Sequence, residues 1–267
     1  MVAGMSSRFG GKIKQFAKVG PNGETLIEVS MDQAINAGFN KIIFVVGDKT
    51  ETQFKEKFGD SYNGVPVFYT KQFFNPEERD KPWGTTDALV TAKEFINENF
   101  VVCNGDDIYG KNALKETHNY LEKNDNGITV GYKLKHIIPE EGAVNRGKFE
   151  TDTEGNVTSI KEILGISKEN FLEKDLTKNS LCSMNLFGLT KETLLDLEKK
   201  LVEFKEKNAG DRKAECFLPV ELGNLIEEGK LKMKLIETND KWFGVTNPED
   251  EEKVRNALSS PAQNQEN

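Results

Sequence analysis

The sequence predicts an α/β fold: a mixed, mainly parallel sheet with helices on both faces, plus a smaller β-rich lobe. Three observations carry this. Apolar runs alternate with helix-period segments through the first half. The second half brings paired strand patterns around a polar turn. The chain has 267 residues, 36% hydrophobic and 30% charged, which suits one large globular domain or one domain with an elaborated lobe.

The elements follow in chain order. Only residues 1–3 precede Gly4, where this kind of fold needs a first buried strand, so the chain begins late or its true start lies upstream. Residues 26–37 carry apolar side chains at helical spacing and stop at Gly38, a natural C-terminal cap. Residues 41–46 (KIIFVV) are a buried strand and residues 65–69 another. Ala88, Leu89, Ala92, Phe95 and Ile96 give residues 86–97 a helical face. Residues 100–104 (FVVCN) form a strand, and Leu114, Thr117 and Leu121 mark a helix over 112–123. Residues 127–134 return as a strand.

Beyond these, residues 147–163 form two strands about a turn at 153–156, and 183–188 add a strand. Residues 190–207 make a long charged helix with Leu194, Leu197, Leu201 and Phe204 inward. A helix over 216–228 ends near Gly229, and 232–238 form the last strand. Asn247 and Pro248, followed by Glu249, Asp250 and Glu251, start a final helix. The expected organisation is one domain over residues 1–258, with halves of about 1–125 and 126–258 and a disordered tail at 259–267.

Composition narrows the function classes. The formal net charge is −8, which gives no reason to expect nucleic acid, since such binding needs Lys and Arg to replace condensed counterions. Cys103, Cys182 and Cys216 have neither metal-ligand nor disulfide spacing and are read as buried thiols. His118 and His136 are the only histidines, so a multi-histidine metal site has little to build on. No apolar stretch approaches membrane-spanning length and no secretory signal is evident, so the expected location is the cytoplasm.

Three segments carry chemistry. Residues 3–15 (AGMSSRFGGKIKQ) combine Gly and Ser, which expose backbone N–H groups in tight loops, with Arg8, Lys12 and Lys14. They match neither the P-loop nor the dinucleotide Gly-x-Gly-x-x-Gly pattern, so the readings are phosphate binding or a solvated basic loop. In residues 100–110 (FVVCNGDDIYG) an apolar strand runs into Asp106 and Asp107. Ligands of open α/β sheets bind at the carboxyl ends of strands, where a carboxylate can hold Mg²⁺ against phosphate oxygens. At least one of the two is read as a metal ligand; helix capping or a turn is the alternative. In residues 81–87 (KPWGTTD), Pro82 and Gly84 let the backbone pass close to a flat ligand, Thr85 or Thr86 caps the next helix, and Trp83 is a packing residue.

In this order and spacing the segments resemble the sugar nucleotidyltransferase superfamily, pyrophosphorylase type, with its Rossmann-like core, and specifically a stand-alone bacterial subgroup. The resemblance runs from Ala3 to about Leu258. It implies that backbone amides of residues 3–10, including Ala3, Gly4, Met5, Ser6 and Ser7, hold a triphosphate together with Arg8. Lys14 is implied to neutralise charge near the α-phosphate, Gln72, Gly84 and Thr85 to contact the nucleoside, and Asp106 to bind Mg²⁺. Glu162 and Asn185 fall where family members contact the acceptor in the β-rich lobe.

Two departures stand out. Family members often carry a second metal-binding Asp after a Trp near the C-terminus, where this chain has Gly244 in DKWFGV; Asp240 is the candidate substitute. The acceptor-side Glu-Lys pair is also incomplete, because Ile163 follows Glu162. The expected reaction transfers NMP from an NTP to a small phosphorylated acceptor, a sugar 1-phosphate, releasing pyrophosphate. Two other readings remain: a cytidylyl- or guanylyltransferase for a non-sugar phosphate, and a non-catalytic nucleotide-binding regulatory module, which Gly244 favours.

Overall fold

The structure is a computed structural model that describes residues 1–4, 13–245 and 250–259. The first helix, α1 (Leu26–Ala37), begins at a capping box, with Thr25 N–H and Oγ1–H both donating to Glu28 Oε2 at 2.8 and 2.6 Å. It stops at Gly38, whose φ of 112° is left-handed. After it come β1 (Ile42–Val46), α2 (Glu51–Phe58), β2 (Ser61–Tyr62), β3 (Val65–Lys71) and α3 (Thr85–Val90). Then follow β4 (Phe100–Val102), β5 (Asp107–Ile108), α4 (Lys111–Leu121), β6 (Gly127–Lys133) and α5 (Leu134–Ile137). The second half supplies β7 (Val144–Thr151), β8 (Val157–Ile166), β9 (Leu181–Leu189), α6 (Lys191–Lys207) and α7 (Leu218–Glu227). The last elements are β10 (Met233–Glu237), β11 (Phe243–Gly244) and α8 (Asp250–Ser259).

The fold is mixed α/β, as the alternating pattern predicts. Parallel ladders join β1 to β3 and β10 to β6. Those around β9 are antiparallel: its C-terminal half lies between β4 and β6, and Cys182 near its start pairs with Lys148 of β7. The sheet is therefore less parallel than its first-half rhythm suggests. β7 and β8 form the predicted hairpin, extended at both ends. Helix α1 packs on α4, and α3 packs on α6. The largest apolar core lies beneath α3, α6 and α7, around Phe187, Leu189, Leu197 and Leu222.

Two helices are shorter than their apolar spacing predicts. The helix expected over 86–97 ends at Val90, and a 3-10 turn follows at Lys93–Phe95. The Thr70 hydroxyl donates to the Thr91 carbonyl at 2.7 Å, and Phe95 N–H bonds Ala92 instead of Thr91. The helix expected from 216 starts at Leu218, because the backbone of Cys216 is committed to Trp83 and Thr86. The predicted Asn247–Pro248 start and the tail beyond Ser259 lie outside the described residues.

The first residues occupy the place of a central strand. Val2 N–H donates to Val45 O at 2.8 Å on one side, and Gly105 N–H donates to Met1 O at 2.9 Å on the other. Val2 is buried. The neighbours on both sides are glycines: a Cβ on Gly105 would lie 2.2 Å from Val2 Cγ1, and one on Gly47 would lie 2.9 Å from Ala3 O. Beyond Met1, β1 and β4 share no ladder, and a groove of about 520 Å³ lined by Ile43, Val45, Val101 and Phe95 separates them.

Candidate active site

The polar centre of the molecule forms where β4 ends. The turn at Gly105 and Asp106 delivers two carboxylates to the carboxyl end of the strand. Asp106 is ion-paired with Lys14 from the 3-10 turn Lys14–Phe16, both side chains being partly exposed. Among the described residues Lys14 is the sole side-chain partner of Asp106, bonded to its Oδ2.

Asp107 differs sharply from its neighbour. It is 6% exposed, and its Oδ2 accepts from Asn104 Nδ2 at 3.0 Å and from the Tyr109 hydroxyl at 3.1 Å. Burial, with the Asp106 charge adding, pushes its carboxyl up to about 7 against those hydrogen bonds. The Tyr109 hydroxyl also lies 2.9 Å from Met184 O on β9, so the strand end is tied to the β-rich half of the fold.

On that side β9 carries Asn185 at a left-handed φ of 61°, its N–H bonded to Ser183 Oγ at 3.1 Å. Glu162 stands on β8 opposite Gly147, where an added Cβ would lie 3.8 Å from Glu162 Oε2 and 3.6 Å from Ser183 Cβ. Burial raises the Glu162 carboxyl, and the neighbouring Arg146 opposes the rise. The Arg146 guanidinium sits 5.5 Å from the Trp242 ring centroid. Arg146 Nε and Trp242 Nε1 are buried without a hydrogen-bond partner among the described residues. Glu162, Asn185, Arg146 and Trp242 thus gather beside the Asp107–Tyr109 link.

The loop holding Gly84, another of the sequence candidates, is fixed against residues 216–218 and Gln72. Gly84 has φ 97°, and a Cβ there would fall 2.6 Å from Cys216 O. Cys216 N–H donates to Trp83 O at 2.7 Å, Thr86 N–H to Cys216 O at 3.0 Å, and Leu218 N–H to Thr85 Oγ1 at 2.8 Å. Gln72 Nε2 donates to Gly84 O and to Asp87 Oδ2, both at 2.9 Å, so its amide hydrogens hold the loop in place. Trp83 packs, as expected, beneath the Arg79 guanidinium at 3.2 Å from the ring centroid.

With this geometry in place, the nucleotidyl transferase family model matches residues 11–259. The chain belongs to the nucleotidyl transferase family. It is similar to the UTP–glucose-1-phosphate uridylyltransferase AglF of Haloferax volcanii, 32% identical over 91 residues, which is 34% of each chain. It is also similar to the bifunctional protein GlmU of Acetivibrio thermocellus, 26% identical over 222 residues, covering 82% of this chain and 41% of GlmU. These matches span well under half of the relatives' own length. The inositol-1-phosphate CTP transferase of T. maritima shares the fold, with a TM-score of 0.66 at 18% identity over 97% of this chain and 92% of that one.

As a nucleotidyl transferase, the chain can be asked where a cation would sit. No group of three or more His, Cys, Asp or Glu side chains gathers among the described residues. A magnesium ion suits such a place, because it binds one or two carboxylates and completes its shell with phosphate oxygens and water. Asp106, partly exposed at the end of β4 and bonded among the described residues only through Oδ2, fits that demand.

Asp240, the candidate substitute ligand, is used differently. Its Oδ2 accepts from the N–H groups of Asn112 and Ala113 at 2.7 and 2.8 Å, and its Oδ1 accepts from Asn112 Nδ2 at 2.8 Å. It caps α4 from a distant part of the chain, the task that sequence reading offered Asp106 or Asp107 as an alternative. Ala3 and Gly4 are described beside the site, whereas Met5, Ser6, Ser7 and Arg8 lie outside the described residues. Sequence reading passed over Arg79, Arg146 and Tyr109. Arg146 stands directly before Gly147 at the start of the recognised hairpin, which is the one signal that could have marked it.

Proposed function

We propose that this protein transfers a nucleotidyl group from an NTP to a small phosphorylated acceptor, a sugar 1-phosphate, and releases pyrophosphate. The observation that carries the reading is the Lys14–Asp106 pair at the end of β4, joined through Asp107 and Tyr109 to the strand bearing Asn185. An acceptor phosphate oxygen attacks the α-phosphorus in line. The bond from that phosphorus to the bridging oxygen breaks, and pyrophosphate leaves with the electron pair. The acceptor is already an anion at neutral pH, so no side-chain nucleophile is required, and catalysis is positioning plus charge stabilisation.

Lys14 neutralises the α-phosphate, and Arg8 with the amides of residues 3–10 holds the triphosphate. Asp106 holds Mg²⁺, which when bound offsets charge on the phosphate oxygens. Gly84 and Thr85 line the nucleoside side, with Gln72 acting through Gly84, while Glu162 and Asn185 meet the acceptor. One domain over residues 1–258 carries both halves of the task. Three free thiols and the use of NTP support a cytoplasmic location.

The test is pyrophosphate release with Mg²⁺, crossing each NTP with sugar 1-phosphates and other phosphorylated acceptors. Release for one pair, lost in Asp106→Asn, names both substrates. NTP binding with no release across the panel would overturn the proposal in favour of a non-catalytic nucleotide-binding module. A non-sugar acceptor, of the kind the T. maritima protein is named for, would correct the acceptor alone.

A further inference from the structure

Position 244 is closed to any side chain. A Cβ on Gly244 would lie 2.6 Å from Cζ2 and Cη2 of the Trp242 ring and 3.0 Å from Asp107 Oδ1. Gly244 pairs directly with Asp107 across the β5–β11 ladder, so β11 presents bare backbone to the Asp107 carboxylate. The space that a side chain at 244 would fill is taken by the Trp242 ring, with Asp107 Oδ1 beside it.

Asp107 is itself incompletely satisfied. It is 6% exposed, with two donors on Oδ2, and Oδ1 has no hydrogen-bond partner among the described residues. Asp106 lies in the turn ahead of β5, so strand alternation does not force the two side chains apart. The Lys14 ammonium is paired with Asp106, the residue next to Asp107 in the chain, and its charge also favours the ionised Asp107 carboxylate. Asn104 and Tyr109 fix Oδ2 and so fix where Oδ1 points, which is how ligating carboxylates are oriented.

We propose that Asp107 Oδ1 is the second carboxylate ligand of the divalent cation held at Asp106, supplied from β5 because β11 has no room for one. This rests on the metal role given to Asp106 above. It also removes the argument from Gly244 for a non-catalytic module, since the missing carboxylate is provided by the paired strand.

The experiment is Mn²⁺ binding to the full-length protein, followed by the electron paramagnetic resonance signal of free Mn²⁺, with thermal melts to confirm folding. Asp107→Asn preserves shape and should weaken Mn²⁺ binding at least about tenfold, as Asp106→Asn should. If Asp106→Asn weakens binding and Asp107→Asn does not, the inference fails and the proposed function stands. If neither variant weakens binding, the metal role of Asp106 fails and the inference with it. Should Asp107→Asn not fold, the infrared difference spectrum of the wild-type protein on adding Mn²⁺ decides: two perturbed carboxylates support the inference, and one overturns it.

Discussion

Asp106 and Asp107 are adjacent in sequence yet chemically unlike, and only position separates them. Asp106 is partly exposed and ion-paired with Lys14, while Asp107 is buried under two hydrogen bonds. The pattern FVVCNGDD exposes two acids at a strand end; it cannot show which one turns into the core. Lys14→Ala should therefore lower the rate of pyrophosphate release about 10²-fold, as loss of one preorganised charge does. Its melting temperature should barely move, because partly exposed ion pairs contribute only about 0–1 kcal/mol. A large loss of stability with little loss of rate would assign Lys14 to structure instead. The cysteines give a second residue-scale prediction. Burial pushes the Cys182 and Cys216 thiols up to about 11 and about 12 and also raises Cys103. A thiol near 11 is only about one part in a thousand thiolate at pH 8, and the thiolate is the nucleophile. Ellman's reagent should react slowly with the native protein at pH 8 and faster as pH rises towards 10, yet titrate all three thiols at once in denaturant.

At the scale of elements, local signals were legible and distant partners were not. Helix α1 was readable from its apolar spacing and Gly38 because everything that defines it lies within its own segment. The cap of α4 was not, since Asp240 lies 128 positions beyond Asn112. Asp240→Ala should cost about 0.5–2 kcal/mol, the range for a lost N-cap, and leave Mn²⁺ affinity unchanged. A weakened Mn²⁺ isotherm would return Asp240 to the metal site. The loop before α3 is also held from afar. Arg79, 5% exposed, donates to the carbonyls of Lys81 at 3.1 Å, Asp211 at 3.0 Å and Ala214 at 2.5 Å. Nothing periodic surrounds an Arg in NPEERDKP, so its burial could not be read in advance. Arg79→Ala leaves three partly buried carbonyls without this donor and uncovers Trp83, and should cost about 1–3 kcal/mol of stability, read as a lower urea midpoint. Because Gly84 sits on the same loop, the KM for the NTP should rise with kcat less affected.

The whole molecule is held together across a seam that neither half could reveal alone. β1 and β3 form one sheet, the strands around β9 form another, and Met1 and Val2 bond to β1 and to the segment that follows β4. The seam also sets the site, because Gly105, whose N–H donates to Met1 O, directly precedes Asp106. The sequence shows glycines at 47 and 105, but not that both lack side chains because Val2 and Ala3 lie between them. Val2→Ser replaces a buried apolar side chain with a hydroxyl and should cost about 2 kcal/mol. If the seam couples the two sheets, the loss is not confined to stability. The urea transition should broaden, because the sheets no longer unfold as one unit and a two-state description lapses. The rate of pyrophosphate release should fall at temperatures where the protein is still folded, because Asp106 loses its fixed approach from Gly105. A transition shifted to lower urea with unchanged slope and full activity would show that residues 1–3 merely fill space.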